Sequence, residues 1–168
     1  KNPKKGLLFW VTGLSGSGKT TIAKKIKNDI ESLYGPTLLI SGDDVRRIFN
    51  FKEYSAKKRL NLVKKYCKLA QFITNQNINL IFAVVGMMDS IRNWNKKNIV
   101  NYVEIYVKSD LKKIIKIRKK KIYHQKNIGD IVGLNIKPEY PKKPDITIYN
   151  NFRISAKSLA KKLIHKIQ

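Results

Sequence analysis

The chain has one cysteine in 168 residues. Cys67 alone excludes an internal disulfide and leaves no thiol cluster for a metal, and a reducing, cytoplasmic setting is expected. Its neighbours follow a helical pattern, so a place in the core is expected rather than a catalytic one. No stretch is apolar for long enough to cross a bilayer as a helix. The opening Lys1-Asn2-Pro3-Lys4-Lys5 leads straight into an apolar strand candidate, and nothing there resembles a signal peptide. Acidic residues are scarce, 11 against 36 basic ones, which gives a formal net charge of +25. Arginine is scarce as well, confined to Arg46, Arg47, Arg59, Arg92, Arg118 and Arg153, so the excess is mostly lysine. A charge of this size attracts nucleic acid or any polyanion and steers acidic small substrates. The lysines form no single basic block, and no aromatic-basic RNA motif or helix-turn-helix pattern accompanies them. Over-use of Lys, Ile and Asn is also what an AT-rich genome produces. Nucleic acid and membrane are therefore not the expected partners. There is no internal repeat and no linker, and hydrophobic residues make up 42%. That is enough for one packed domain over residues 1–168.

The most informative stretch is Leu7–Thr20. An apolar run, Leu7–Val11, precedes Gly13-Leu14-Ser15-Gly16-Ser17-Gly18-Lys19-Thr20, the full G-x-x-x-x-G-K-S/T pattern of a phosphate-binding loop. Its glycines let backbone N–H groups surround an anion. Lys19 supplies a point charge for the outer phosphates, and the Thr20 hydroxyl suits Mg²⁺. Ile22, Ala23, Ile26 and Ile30 then recur at helical spacing, so a helix aims its positive end at the same phosphates.

Strands are expected at Leu7–Val11, Thr37–Ile40, Asn79–Val85, Tyr102–Val107 and Ile146–Tyr149. Helices are expected over Lys19–Tyr34, Ser55–Asn75, 90–97, Asp110–Arg118 and Ile154–Ile167. Leu60, Val63, Leu69, Ala70 and Ile73 mark the apolar face of the second helix. Alternating strands and helices behind a phosphate loop predict an α/β fold. Its form is the P-loop NTPase three-layer sandwich, a mainly parallel five-stranded sheet with helices on both faces. Residues 119–144 are Lys-rich, hold Gly129, Gly133, Pro138, Pro141 and Pro144, and lack a period, which predicts a lid.

Ser41-Gly42-Asp43-Asp44-Val45-Arg46-Arg47 follows the second strand as a loop at its carboxyl end, where parallel sheets bind ligands. A carboxylate there can take a proton from an attacking hydroxyl or hold the metal's water shell, and Arg46 can pair with an anionic acceptor. Asp43 also suits a helix cap, and the two roles are compatible.

With these residues in view, the chain resembles an adenylylsulfate kinase over nearly its whole length. The family's opening phrase matches Phe9–Thr20, and its Asp-Gly-Asp-Asn-Val-Arg is similar to Ser41–Arg46. Its Gly-Phe-Ser and following arginine correspond to Tyr54-Ser55 and Arg59. Its lid Lys-Gly-Leu-Tyr resembles Lys121-Ile122-Tyr123, and its closing Glu-x-Pro resembles Glu139-Tyr140-Pro141. The resemblance implies an ATP- and Mg²⁺-dependent kinase acting on the 3′-hydroxyl of a nucleotide. It implies an ATP site of Gly13, Ser15, Gly16, Ser17, Gly18, Lys19, Thr20 and Arg118, with Mg²⁺ at Thr20 and Asp43. Asp43, Lys19 and Lys121 would be catalytic. The acceptor would meet Asp43, Arg46, Tyr54, Arg59, Val85, Gly86, Arg92, Ile131, Val132, Gly133 and Leu134. A homodimer is implied too.

The departures gather around the acceptor. The family's serine after the third strand is Gly86, so a phosphoserine route is not available there, and the family's arginine nearby is Asp89. One face of the family's aromatic clamp on adenine is Ile131, which weakens purine stacking. The family's Arg-x-Glu-Asn is Arg59-Leu60-Asn61-Leu62. A branch of the family is associated with bacterial capsule phosphoramidate synthesis and uses cytidine diphosphoramidate. It is similar to the chain in keeping the donor site and rebuilding the acceptor site. That acceptor is preferred, with adenylylsulfate as the alternative. A basic nucleic-acid-binding P-loop protein and an inactive scaffold are the readings from other classes.

Overall fold

The computed structural model describes residues 5–51, 55–118 and 131–168. The chain runs β1 (Leu7–Thr12), α1 (Lys19–Tyr34), β2 (Thr37–Ser41), α2 (Gly42–Ile48), α3 (Ala56–Asn75), β3 (Asn79–Ala83), α4 (Asp89–Asn98), β4 (Asn101–Lys108), α5 (Leu111–Arg118), β5 (Ile146–Tyr149) and α6 (Ala156–Ile167). The strands form one five-stranded sheet in the order β2-β3-β1-β4-β5. Every neighbouring pair is parallel.

Period-two alternation along β1 decides which layer each residue joins. Phe9 and Val11 face one core with Ile81, Ile105 and Val107, closed by Ile22, Ile26 and Ile30 of α1 and Leu159 and Leu163 of α6. Leu8 and Trp10 face the other with Leu80 and Phe82, closed by Val63, Tyr66 and Cys67 of α3 and Ile91 of α4. Every residue of β3 is buried, as a central strand covered on both faces requires. This is the doubly wound P-loop sandwich the sequence predicts, with the loop after β1 at the carboxyl edge of the sheet.

Three local expectations are corrected. Ser41–Arg47 is not a loop: Gly42 opens the helix α2, and the cap is Ser41 rather than Asp43, its Oγ accepting from the Asp44 N–H at 3.2 Å. A serine at that position satisfies a donor the helix itself cannot. The buried face of α3 is Leu62, Val63, Tyr66, Cys67, Ala70 and Ile73, while Leu60 and Leu69 flank it, half-buried. Strand β3 stops at Ala83, before Val85: the Val84 N–H still donates to the Val11 carbonyl at 3.0 Å, and the Val85 carbonyl then accepts from the Thr12 hydroxyl instead of a strand neighbour. Of the expected lid, residues 119–130 lie outside the described residues. Residues 131–144 return toward the sheet edge without forming a helix or a named strand, with one bridge between Val132 and Ile136.

Candidate active site

The phosphate loop is shaped by its own backbone. The Ser17 N–H donates to the Leu14 carbonyl at 3.1 Å, and Lys19, buried, donates its Nζ to the same carbonyl at 2.8 Å. Gly13 sits at φ 148°, and a Cβ there would lie 2.5 Å from the Val107 carbonyl oxygen, so a side chain is excluded. Asn150, just past β5, donates to the Ser17 carbonyl at 2.9 Å and ties the loop to the edge of the sheet. Helix α1 starts on Gly18 with no side-chain cap and no acidic residue in its first turn. Its exposed N–H groups and dipole are therefore left for an external anion.

A cavity of about 200 Å³ opens beyond the loop. Ser15, Gly16, Gly18, Lys19 and Thr20 line its donor side. Asp43 and Arg46 of α2, Arg59 of α3, Val85, Gly86 and Val132 line the rest. Three cationic side chains and one carboxylate converge here, the charge balance of a site for phosphorylated substrates. The residues present fit a magnesium nucleotide. Thr20 offers a hydroxyl and Asp43 a carboxylate on the same cavity. Among the described residues no cluster of three or more His, Cys, Asp or Glu exists to hold a metal alone, so a cation there would depend on the phosphates themselves. A second cavity of about 190 Å³, with a mixed polar and apolar lining, includes Thr21, Ile22, Ile117, Asn150, Phe152 and Ile154.

Other predicted residues stand elsewhere. Gly13 and Ser17 are buried beneath the loop and shape it from below. Arg92 is not on the cavity wall. Its side chain, 4% exposed, reaches Asp89 and lies 3.3 Å from Glu104 Oε1 under α4. Burial pushes the Glu104 carboxyl up, while Arg92 and Lys96 pull it down, so the pair is a structural bond between α4 and β4. Ile131 is buried and does not line the cavity, its N–H donating to the Asn135 side chain. Gly133 packs against Leu14 and Leu111, and Leu134 is half-exposed. Tyr54 and Lys121 lie outside the described residues, and Arg118 closes α5.

The structure adds residues that motif reading missed. Val63, Tyr66, Met87 and Met88 also line the cavity. Arg59, Val63 and Tyr66 follow i, i+4, i+7 spacing, one face of α3, and that spacing was the available signal. The Tyr66 hydroxyl donates to the Gly42 carbonyl at 3.3 Å, directly before Asp43. Burial pushes it up to about 12, so it remains a donor at neutral pH.

Gly86 takes φ 42°. A Cβ there would lie 3.0 Å from Trp10 Cζ2 and 3.1 Å from Nε1. The Trp10 ring fills the space beneath this wall, edge-on to Phe82 with centroids 5.4 Å apart.

The profile of the family described as Adenylylsulphate kinase matches residues 5–149. The chain is 30% identical over 163 residues to a cytidine diphosphoramidate kinase of Campylobacter jejuni, covering 95% of each. It is 29% identical over 174 residues to an adenylyl-sulfate kinase of Buchnera aphidicola, covering 98% of this chain and 80% of that one. Its fold matches the structure of a Mycobacterium tuberculosis APS kinase in complex with AMPPNP and APS, with a TM-score of 0.82 at 20% identity, covering 98% of this chain and 99% of that one.

Proposed function

The chain belongs to the adenylylsulphate kinase family and is a phosphotransferase; from that premise we propose that it moves the γ-phosphate of ATP to the ribose 3′-hydroxyl of a modified nucleotide, with cytidine diphosphoramidate as the preferred acceptor. The observation that carries this reading is the single cavity in which Lys19 and Thr20 face Asp43, Arg46 and Arg59. The phosphate loop and the uncapped start of α1 hold the donor phosphates. Lys19 leaves the Leu14 carbonyl to meet them. Asp43, on the first turn of α2, takes the proton of the attacking hydroxyl as transfer proceeds in line. Arg46 and Arg59 hold the acceptor's anionic groups. Thr20 and Asp43 would hold Mg²⁺, which supplies charge neutralisation on the phosphates. The second cavity, beside Ile117 and Phe152 next to the end of α5, would take the donor base, the side to which the resemblance assigns Arg118. Lys121 and the rest of the lid close over the transfer. The domain would span residues 1–168, act in the cytoplasm and pair as a homodimer, which light scattering on the purified chain measures.

The preference for a cytidine acceptor is supported by the wall. Val85, Met87, Met88 and Val132 offer apolar contact to a base, beside Tyr66 as the aromatic residue among the described lining. Purified protein supplied with Mg-ATP and either cytidine diphosphoramidate or adenosine 5′-phosphosulfate is assayed for ADP release. Higher kcat/KM with the cytidine compound is expected. Higher kcat/KM with adenosine 5′-phosphosulfate would assign the alternative acceptor, and turnover of neither would remove the nucleotide 3′-kinase reading.

A further inference from the structure

The wall of the cavity at Gly86–Met88 takes part of its support from a segment remote in sequence. It leaves β3 after Ala83, turns at a positive φ, and ends on α4, whose N-cap residue, Met88, contributes no side-chain bond. Two of its backbone groups are instead satisfied from the segment that returns from the lid. The Glu139 N–H donates to the Met87 carbonyl at 3.1 Å. The Glu139 carboxylate accepts from the Asp89 N–H. The two bonds run in opposite directions between one residue and the two ends of Met87–Asp89, so together they fix the position and orientation of that turn. The carboxylate also lies at the positive end of α4, where negative charge is favoured.

The same return segment is fastened further along. The Glu104 N–H donates to Asp145 Oδ2 at 2.6 Å, Lys96 Nζ reaches the Lys143 carbonyl at 3.5 Å, and the Tyr140 ring lies 6.4 Å from that of Tyr106. From below, Arg92 joins Asp89 to the buried Glu104. Upstream on the segment, Val132 lines the cavity itself. The return limb of the lid and the acceptor wall are thus one bonded unit, with Glu139 as its link.

We propose that Glu139 is a positioning residue that holds the Gly86–Met88 wall in register with the lid's return limb and so sets acceptor affinity. The inference rests on the reading that this wall faces the acceptor. The residue acts as a double-ended fastener, by its backbone N–H at Met87 and its carboxylate at Asp89, rather than by touching substrate. A carboxamide keeps an oxygen for the Asp89 N–H, and alanine does not.

Glu139→Ala and Glu139→Gln are compared with the parent chain by amide hydrogen exchange and by kinetics. In Glu139→Ala, exchange over residues 86–92 should accelerate at least about tenfold, the scale of one charge-assisted hydrogen bond, while α1 and the phosphate loop stay unchanged. Acceptor KM should rise by a similar factor, with ATP KM within about twofold, and Glu139→Gln should return both readouts to within about threefold of the parent. Unchanged exchange over 86–92, equal acceleration in the phosphate loop, no rescue by glutamine, or a parallel rise in ATP KM would each overturn the proposal. Failure of the parent chain to turn over either acceptor would defeat the functional reading instead, and exchange would then decide the role of Glu139 alone.

Discussion

Inside the phosphate loop, Ser17 N–H and Lys19 Nζ both donate to the Leu14 carbonyl, and Asn150 and Ser109 add bonds to the Ser17 carbonyl from the far side of the sheet, whereas the wall at Gly86–Met88 is braced by Glu139, which reaches Asp89 across 50 residues of sequence. The first has a local part, set by its own glycines and the Leu14 carbonyl, with long-range tethers to one carbonyl, Ser17. The second exists only after the sheet has brought β3, α4 and the lid's return limb together. None of the phosphate-loop hydrogen bonds named above runs to Gly86, Met87 or Ile131.

The largest expected effect breaks the donor side alone. Lys19→Ala should lower kcat/KM by about 10²–10³-fold, the scale of removing one preorganised donor to a developing charge, with the far-ultraviolet circular dichroism of the parent. Retained turnover would remove Lys19 from the transfer. Asp43→Asn, across the cavity, should cost about 10²–10⁴-fold in kcat, and a loss below about tenfold would be too small for a positioned base.

Gly86→Ser sharpens the contrast by restoring the hydroxyl at the wall. The positive φ and the Trp10 ring 3.0 Å from the new Cβ make it costly, about 1–3 kcal/mol of stability, read as a lower midpoint in urea. Acceptor KM should rise and ATP KM should hold. An undiminished midpoint would show that Trp10 moves aside freely.

The smallest effect is expected from Tyr66→Phe, which removes one bond to the Gly42 carbonyl, about 0.5–1.5 kcal/mol. It should lower kcat a few-fold by loosening the turn before Asp43. Burial raises the folded-state value of Tyr66 from 10.0 to about 12. The stability it contributes is therefore complete below about pH 10 and is lost as pH rises towards 12. Tyr106 is raised in the same direction, also first by burial. Urea midpoints between pH 9 and 11 should fall for the parent and fall less steeply for Tyr66→Phe. Equal slopes would mean that Tyr66 ionises as freely when folded as when unfolded.

The sheet and its helices were legible because each announces itself within one segment. Leu7–Val11 and Asn79–Val85 are apolar runs, and α1 repeats Ile22, Ile26 and Ile30 on one face. Helix α2 was not legible, because Gly42 at its start and only seven residues of length mimic a loop. Its cap by Ser41 shows only once the Asp44 N–H is placed. Arg92 was assigned to the acceptor by likeness to a motif, yet its buried partner, Glu104, lies on a strand that no local pattern connects to α4. Glu139 was visible as a Glu-x-Pro motif without a role, because the Asp89 N–H it serves is remote in sequence. Tyr66 was hidden by the ordinary apolar period of α3, where a tyrosine facing a cavity and a tyrosine facing the core look alike.

The separation of donor and acceptor sides is tested most directly by the two Michaelis constants of Arg59→Ala and Arg46→Ala, each measured with the other substrate saturating. Both arginines sit on the cavity wall opposite the phosphate loop. A two-sided cleft predicts that acceptor KM rises at least about tenfold in each variant while ATP KM stays within about twofold, the pattern of a lost charge-assisted contact to one substrate only. A rise confined to ATP KM, or equal rises in both constants, would contradict it.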